Sequence, residues 1–242
     1  MRVAVVSDIH ANLAALEAVL AEIDAEAPDE LWCLGDTVGY GPRPNECTDA
    51  VAARAAICLA GNHDLAVIGK LDLVEFAGEA GDAARWTRGV LTDTARAYLE
   101  GLEPLGERDG VALYHASARD PVWEYVLTDE AAAATLLIAG TRLVLVGHSH
   151  AALQVALRDE AFEGGLAPAG TEVALDDALV LLNPGSVGQP RDGDPRAAWL
   201  LLDLDAQRAS FRRVEYDVAR TQREIREAGL PELVALRLSA GQ

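Results

Sequence analysis

The stretch Arg2-Val3-Ala4-Val5-Val6-Ser7-Asp8-Ile9-His10 decides how this chain is read. Its apolar run is too continuous for a half-exposed strand and too short for a helix, so it predicts a strand buried on both faces. The run ends abruptly in a carboxylate and an imidazole. In open α/β sheets ligand sites form outside the carboxyl ends of strands, and Asp8 and His10, two positions apart, can point into one such crevice. The pattern recurs along the chain. Residues 31–34 lead into Gly35-Asp36, residues 57–60 into Gly61-Asn62-His63-Asp64, residues 111–114 into His115, and residues 143–146 into Gly147-His148-Ser149-His150. All five histidines of the protein occupy these strand-end positions.

Between the predicted strands, Asn12 can cap a helix in which Leu13, Leu16, Val19, Leu20 and Ile23 recur at helical spacing. A second helix opens near Asn45, after the loop Gly39-Tyr40-Gly41-Pro42-Arg43-Pro44. Strands alternating with helices across short turns predict a mostly parallel sheet with helices packed over it. Residues 64–108 read as mainly helical, with Trp86, Leu91, Tyr98 and Leu99 as core anchors, and residues 129–139 as a further helix. From Leu153 the character changes. Residues 153–157, 172–175, 179–182, 197–204 and 209–216 read as strands joined by tight acidic turns such as Asp176-Asp177, which predicts antiparallel hairpins. The tail, residues 218–239, reads as helical with a break at Gly229-Leu230-Pro231, and as a cover for the second sheet.

The 242 residues are expected to form one domain, because no Pro/Ser-rich linker divides the polar strand ends. A net charge of -19, from 39 acidic and 20 basic residues, disfavours a broad nucleic-acid or membrane surface. It would also repel a small anionic substrate unless bound cations reversed the sign locally. Cys33, Cys47 and Cys58 form no C-x-x-C pair and read as core residues rather than a disulfide framework. With no signal-peptide pattern and no membrane-spanning run, the chain is expected to be cytoplasmic.

Histidine with Asp and Asn at strand ends suits manganese, iron, zinc or nickel, with manganese placed first. Asp8, His10, Asp36, Asn62, His115, His148 and His150 are the candidate donors. They exceed the roughly four to six that one ion takes, whereas two divalent ions sharing a carboxylate account for all of them.

Together, Asp8-x-His10, Gly35-Asp36, Gly61-Asn62-His63-Asp64, His115 and Gly147-His148-x-His150 resemble, in order, the five motifs of the calcineurin-like metallophosphoesterase superfamily. Asn183-Pro184-Gly185-Ser186-Val187-Gly188-Gln189-Pro190-Arg191 resembles a segment of its small bacterial phosphodiesterase-like branch. The resemblance implies an α/β (α+β) fold, a four-layer αββα sandwich of two mixed sheets flanked by helices. It implies that Asp8, His10, Asp36 and His150 hold one ion, that Asp36, Asn62, His115 and His148 hold the other, and that a hydroxide bridges them. His63 would then protonate the leaving alkoxide or stabilise the phosphoryl oxygens, with Asp64 orienting its ring. The implied activity is hydrolysis of a small phosphoester: a diester first, cyclic nucleotides included, or a monoester. Dinucleoside polyphosphates, phosphoproteins and a non-catalytic metal scaffold are the competing readings.

One departure stands out. Many relatives continue the second motif as Gly-Asp-x-x-Asp, whereas this chain has Gly39 at the second acidic position, leaving Tyr40 or Arg43 to take that role. Arg119 and Arg191 are further candidates for phosphate contact, because a planar guanidinium matches phosphate oxygens. Trp123 and Tyr125 could stack on a nucleobase or simply pack over the core. A hairpin turn explains Asp203 and Asp205 better than a further metal.

Overall fold

The computed structural model describes residues 1–158, 161–176 and 178–242. Strand β1 (Arg2–Val6) pairs in parallel with β2 (Glu30–Cys33), and β2 in parallel with β3 (Ala55–Cys58). Helices α1 (Leu13–Glu26) and α2 (Pro44–Arg54) connect them. Asn12 caps α1, its side chain accepting from the Ala15 N–H at 3.2 Å. Both faces of β1 are covered: Val3 and Val5 face a second sheet, Ala4 and Val6 face α1 and α2, and all four are fully buried.

Helices α3 (Asn62–Ile68), α4 (Gly78–Val90) and α5 (Asp93–Glu100) follow. Leu99 is fully buried, while Trp86, Leu91 and Tyr98 are only half-buried at cluster margins. The helical segment ends before residue 108. Strand β4 (Leu105–Arg108) turns into β5 (Val111–Tyr114) through Asp109-Gly110, whose φ values of 52° and 77° are those a two-residue hairpin loop requires. Helix α6 (Asp129–Ala139) and β6 (Leu143–Leu145) come next. They precede β7 (Ala152–Arg158), β8 (Ala161–Leu166), β9 (Glu172–Ala174), β10 (Leu179–Pro184), β11 (Ala197–Asp203) and β12 (Arg208–Val214). Helices α7 (Val218–Glu227) and α8 (Glu232–Leu238) end the chain.

Among the described residues the strands form two mixed six-stranded sheets, ordered β3-β2-β1-β11-β12-β9 and β4-β5-β6-β10-β7-β8. The expected four-layer arrangement is present. Between the sheets lie Trp32, Leu34, Leu113, Leu145, Leu182, Leu200 and Phe211, each stabilising the fold by about 1.5–3 kcal/mol through burial. Outside the first sheet pack α1 and α2; outside the second packs α6, through Ala131, Ala132 and Leu136.

Three expectations are corrected. Residues 172–182 are not a hairpin, because β9 joins β12 at the edge of the first sheet while β10 lies inside the second, between β6 and β7. Of the proposed turn there, Asp177 lies outside the described residues. The mostly parallel sheet is mixed, since β11 inserts antiparallel beside β1. The tail does not cover the second sheet: Ile225, Leu230, Val234 and Leu238 pack around Tyr40 and Ala83, and the Thr221 hydroxyl donates to Asn12 Oδ1 at 2.8 Å. Asp203 accepts from the Ala206 N–H at 2.9 Å in the β11–β12 turn, the hairpin role expected of it. Among the described residues no helix is long and apolar enough to cross a membrane.

Candidate metal centre

The loops after β1, β2, β3, β5 and β6 converge, and backbone hydrogen bonds bind the first two together. Asp8 N–H donates to Gly35 O at 3.0 Å, His10 N–H to Asp36 O at 2.9 Å, and Ala11 N–H to Thr37 O at 2.9 Å. Asp8, His10, Asp36, His148 and His150 have φ values of 54°, 50°, 52°, 62° and 57°. This left-handed conformation costs about 1–3 kcal/mol per non-glycine residue, so the surrounding bonds must hold it. The strain turns successive side chains toward one point.

Donor atoms of Asp8, His10, Asp36 and His150 all lie within 4.8 Å of one another, as do those of Asp36, His115 and His148. Asp36 belongs to both sets. Its Oδ1 accepts the His63 N–H at 2.9 Å, while Oδ2 lies 3.5 Å from His10 Nε2 and 3.7 Å from His115 Nε2. Asn62 Oδ1 sits 3.4 Å from His115 Nε2, beside the second set.

Backbone carbonyls fix each ring. His10 Nδ1 donates to Val38 O (3.1 Å), His115 Nδ1 to Leu34 O (2.8 Å) and His150 Nδ1 to Gln189 O (2.6 Å), which leaves each Nε2 lone pair facing inward. His148 is reversed, its Nε2 donating to Trp123 O at 3.3 Å. The Nε2 atoms of His10 and His150 are therefore 2.9 Å apart with lone pairs opposed. Among the described residues Asp8 Oδ1 is buried without a hydrogen-bond partner. Burial raises the Asp8 pKa to about 7 and holds Asp36 well above the usual carboxylate range. Burial likewise lowers His115 to about 4, His148 to about 3, and His10 and His150 well below the imidazole range. Opposed lone pairs, an orphaned carboxylate oxygen and buried acids are unfavourable alone and become favourable around cations. The donor set therefore fits divalent metal ions.

His63 stands beside the donors but joins neither set. Its ring packs against Tyr40 (4.6 Å), His10 (5.0 Å) and Phe76 (5.0 Å), Nδ1 has no hydrogen-bond partner among the described residues, and burial lowers its pKa to about 3. The expectation that Asp64 orients this ring is corrected. Adjacent residues on a helix point about 100° apart, and the Asp64 carboxylate instead accepts the N–H groups of Gly61 (3.0 Å), Thr37 (3.2 Å) and Val38 (3.0 Å). It clamps the Asp36 loop to α3. Asp64→Ala would strand these buried donors, so a loss of about 3 kcal/mol or more is expected, read as a lowered midpoint in urea unfolding.

Gly39, at the second acidic position, has φ +93°, and a Cβ there would lie 2.5 Å from His63 Nδ1. The missing carboxylate is thus the space in which the His63 ring lies. Gly39→Ala is expected to cost about 1–3 kcal/mol and to depress turnover by displacing His63, with metal content retained; melting, kinetics and metal analysis on one preparation check this.

A cleft opens over the donors, lined by Tyr40, Glu75, Phe76, Trp123, Tyr125 and Arg191 among others. Arg191 is held by Gln189 Oε1 at 2.7 Å and lies 5.6 Å over the Tyr40 ring. Tyr40 and Arg191 thus join the site. Arg119 and Arg43 do not line the cleft: Arg119 pairs with Glu124 and Glu130, Arg43 with Glu224 and Glu46. The segment 183–191 is a bracket for the metal donors. Ser186 Oγ donates to Asp8 O (2.7 Å), Gly188 N–H to the same oxygen (3.0 Å), and Arg191 N–H to His150 O (3.0 Å). Sequence reasoning missed Glu75 and Phe76, which follow no periodic pattern, and the carbonyls that set the tautomers, which no side-chain pattern encodes.

A family model described as the calcineurin-like phosphoesterase superfamily domain matches residues 1–207. The crystal structure of a metallophosphoesterase from Sphaerobacter thermophilus is similar at 42% identity and a TM-score of 0.90, with 100% of both chains covered. An uncharacterized protein of Methanocaldococcus jannaschii is 36% identical, over 99% of this chain and 98% of that one. A hypothetical protein of Pyrococcus horikoshii shares the fold at 22% identity and a TM-score of 0.80, over 100% of this chain and 98% of that one. With its motifs gathered into one buried His/Asp cluster and its sequence matched over most of its length, the chain belongs to the calcineurin-like phosphoesterase superfamily.

Proposed function

We propose that the protein is a binuclear metal-dependent phosphoesterase acting on phosphodiesters, cyclic nucleotides among them. The observation that carries this reading is the sharing of Asp36 between two donor sets at the floor of an open cleft. Asp8, His10, Asp36 and His150 would hold one divalent cation, and Asp36, Asn62, His115 and His148 the other. Cations bound there would offset charge on phosphoryl oxygens and lower the pKa of water enough for attack at neutral pH.

The chain's own groups bind and orient the ester. The Arg191 guanidinium, braced by Gln189 and Tyr40, offers N–H groups to a phosphoryl oxygen. His63, fixed from behind by the backbone bond to Asp36, offers an imidazole N–H to a phosphoryl or departing oxygen. Among the described residues lining the cleft, Arg191 is the sole lysine or arginine, and Glu75 adds negative charge. That balance supports a singly charged diester over a polyphosphate.

The test is a panel run with manganese, iron, zinc and nickel in turn. It holds a p-nitrophenyl diester and monoester, a cyclic nucleotide, a dinucleoside polyphosphate and a phosphopeptide. Metal-dependent turnover that is fastest on the diesters is expected. Bound metal with no hydrolysis of any ester would replace the enzyme reading with a scaffold, and a polyphosphate preference would overturn the diester assignment.

A further inference from the structure

Metal chemistry alone does not account for the rings that wall the cleft. Phe76, from the loop before α4, meets His63 edge-on at 5.0 Å and 69° and Trp123 at 5.1 Å and 53°. Tyr125 stacks on His148 at 4.1 Å and 17° yet remains 47% exposed. These rings come from two segments remote in sequence and line the same space as Asp36, His148 and His150. None of the three belongs to the apolar clusters that join sheets to helices. Phe76 meets Trp123 and His63, and Tyr125 meets His148.

We infer that Phe76, Trp123 and Tyr125 form a stacking wall for a flat aromatic group on the substrate ester, a nucleobase or an aryl ring, and thereby set specificity. The inference rests on the phosphoesterase reading for its phosphate anchor. Rings prefer offset or edge contacts with centroids roughly 4.5–7 Å apart, the spacing Phe76 already keeps with His63 and Trp123. A flat group entering beside Tyr125 would complete the arrangement. An alkyl ester would leave this apolar surface wet.

The test reads binding. Metal-loaded wild-type protein is titrated calorimetrically with methyl phosphate, phenyl phosphate and thymidine monophosphate. The aromatic esters are expected to bind about tenfold or more tightly than methyl phosphate. Trp123→Leu should bring them to within about twofold of it, and Trp123→Phe should keep most of the advantage. Tight phenyl phosphate with weak thymidine monophosphate assigns the wall to aryl groups; tight binding of both assigns it to nucleobases as well. Equal affinity of all three esters for the wild type, or an advantage that survives both Trp123→Leu and Phe76→Leu, overturns the inference. Should Trp123→Leu not fold, the wild-type comparison and Phe76→Leu decide. A protein that hydrolyses diesters without aromatic preference loses only the wall. One that binds the aromatic esters more tightly and hydrolyses nothing loses only the phosphoesterase reading.

Discussion

Asp36→Asn is expected to lower diester hydrolysis by about 10³-fold or more and to lose bound metal with it. Mutating a group that merely supports a metal ligand costs about 10–100-fold in metal affinity or activity, and Asp36 serves two donor sets directly. The asparagine keeps Oδ1 as the acceptor for the His63 N–H, so the start of α3 stays in place. What changes is the atom at Oδ2, where an amide N–H replaces an anionic lone pair facing His10 and His115. A thermal signature should accompany the loss. Burial holds the folded pKa of Asp36 above its unfolded value, so its contribution is present below the unfolded pKa and lost as pH rises through the folded one. At alkaline pH an ionised Asp36 therefore costs the metal-free fold stability that asparagine does not. The metal-free variant is expected to melt at or above the metal-free wild type, while added metal raises only the wild type. A variant that keeps its metal or its activity would contradict the shared role of Asp36.

His63→Ala is expected to leave metal content unchanged and to slow diester hydrolysis by about 10²–10⁴-fold. The ring packs beside the donors without belonging to either set. Among the described residues no carboxylate stands behind it, since Asp64 is committed to three backbone N–H groups and His63 Nδ1 has no partner. That geometry favours hydrogen bonding to a phosphoryl oxygen over delivery of a full proton to the leaving group. The loss should then be similar for p-nitrophenyl and alkyl leaving groups, measured as kcat on diesters that differ only there. A loss concentrated on the alkyl ester would assign His63 to leaving-group protonation. Unchanged turnover on both would remove it from the mechanism.

The strands that deliver the donors were legible because two signals coincide at each: a short buried apolar run, and a metal-ligand side chain where it stops. Residues 3–6 of β1 show this with Asp8 and His10, and β5 shows it with His115. The outermost strands of the second sheet, β4 and β8, gave no such signal. Strand β8 reads Ala-Phe-Glu-Gly-Gly-Leu and is mostly exposed, so nothing in its pattern separates it from a loop, while β4 was hidden beside a helical stretch. The separation of β9 from β10 was illegible for another reason. Alternation tells which residues are buried, not which sheet buries them. At the site, the donors could be read as residue types, but Asp64 could not be placed, because its targets are backbone N–H groups of Gly61 and of the Asp36 loop. Gly39 reads in the sequence as a missing carboxylate, whereas in the fold the His63 ring fills its space.

The central claim is that two cations share Asp36. Anomalous scattering from a crystal soaked in manganese tests it most directly. Two peaks per chain are predicted, about 3.5–4 Å apart, one beside Asp8, His10 and His150, the other beside Asn62, His115 and His148, with Asp36 reaching both. A single peak, or none at saturating manganese, would contradict it.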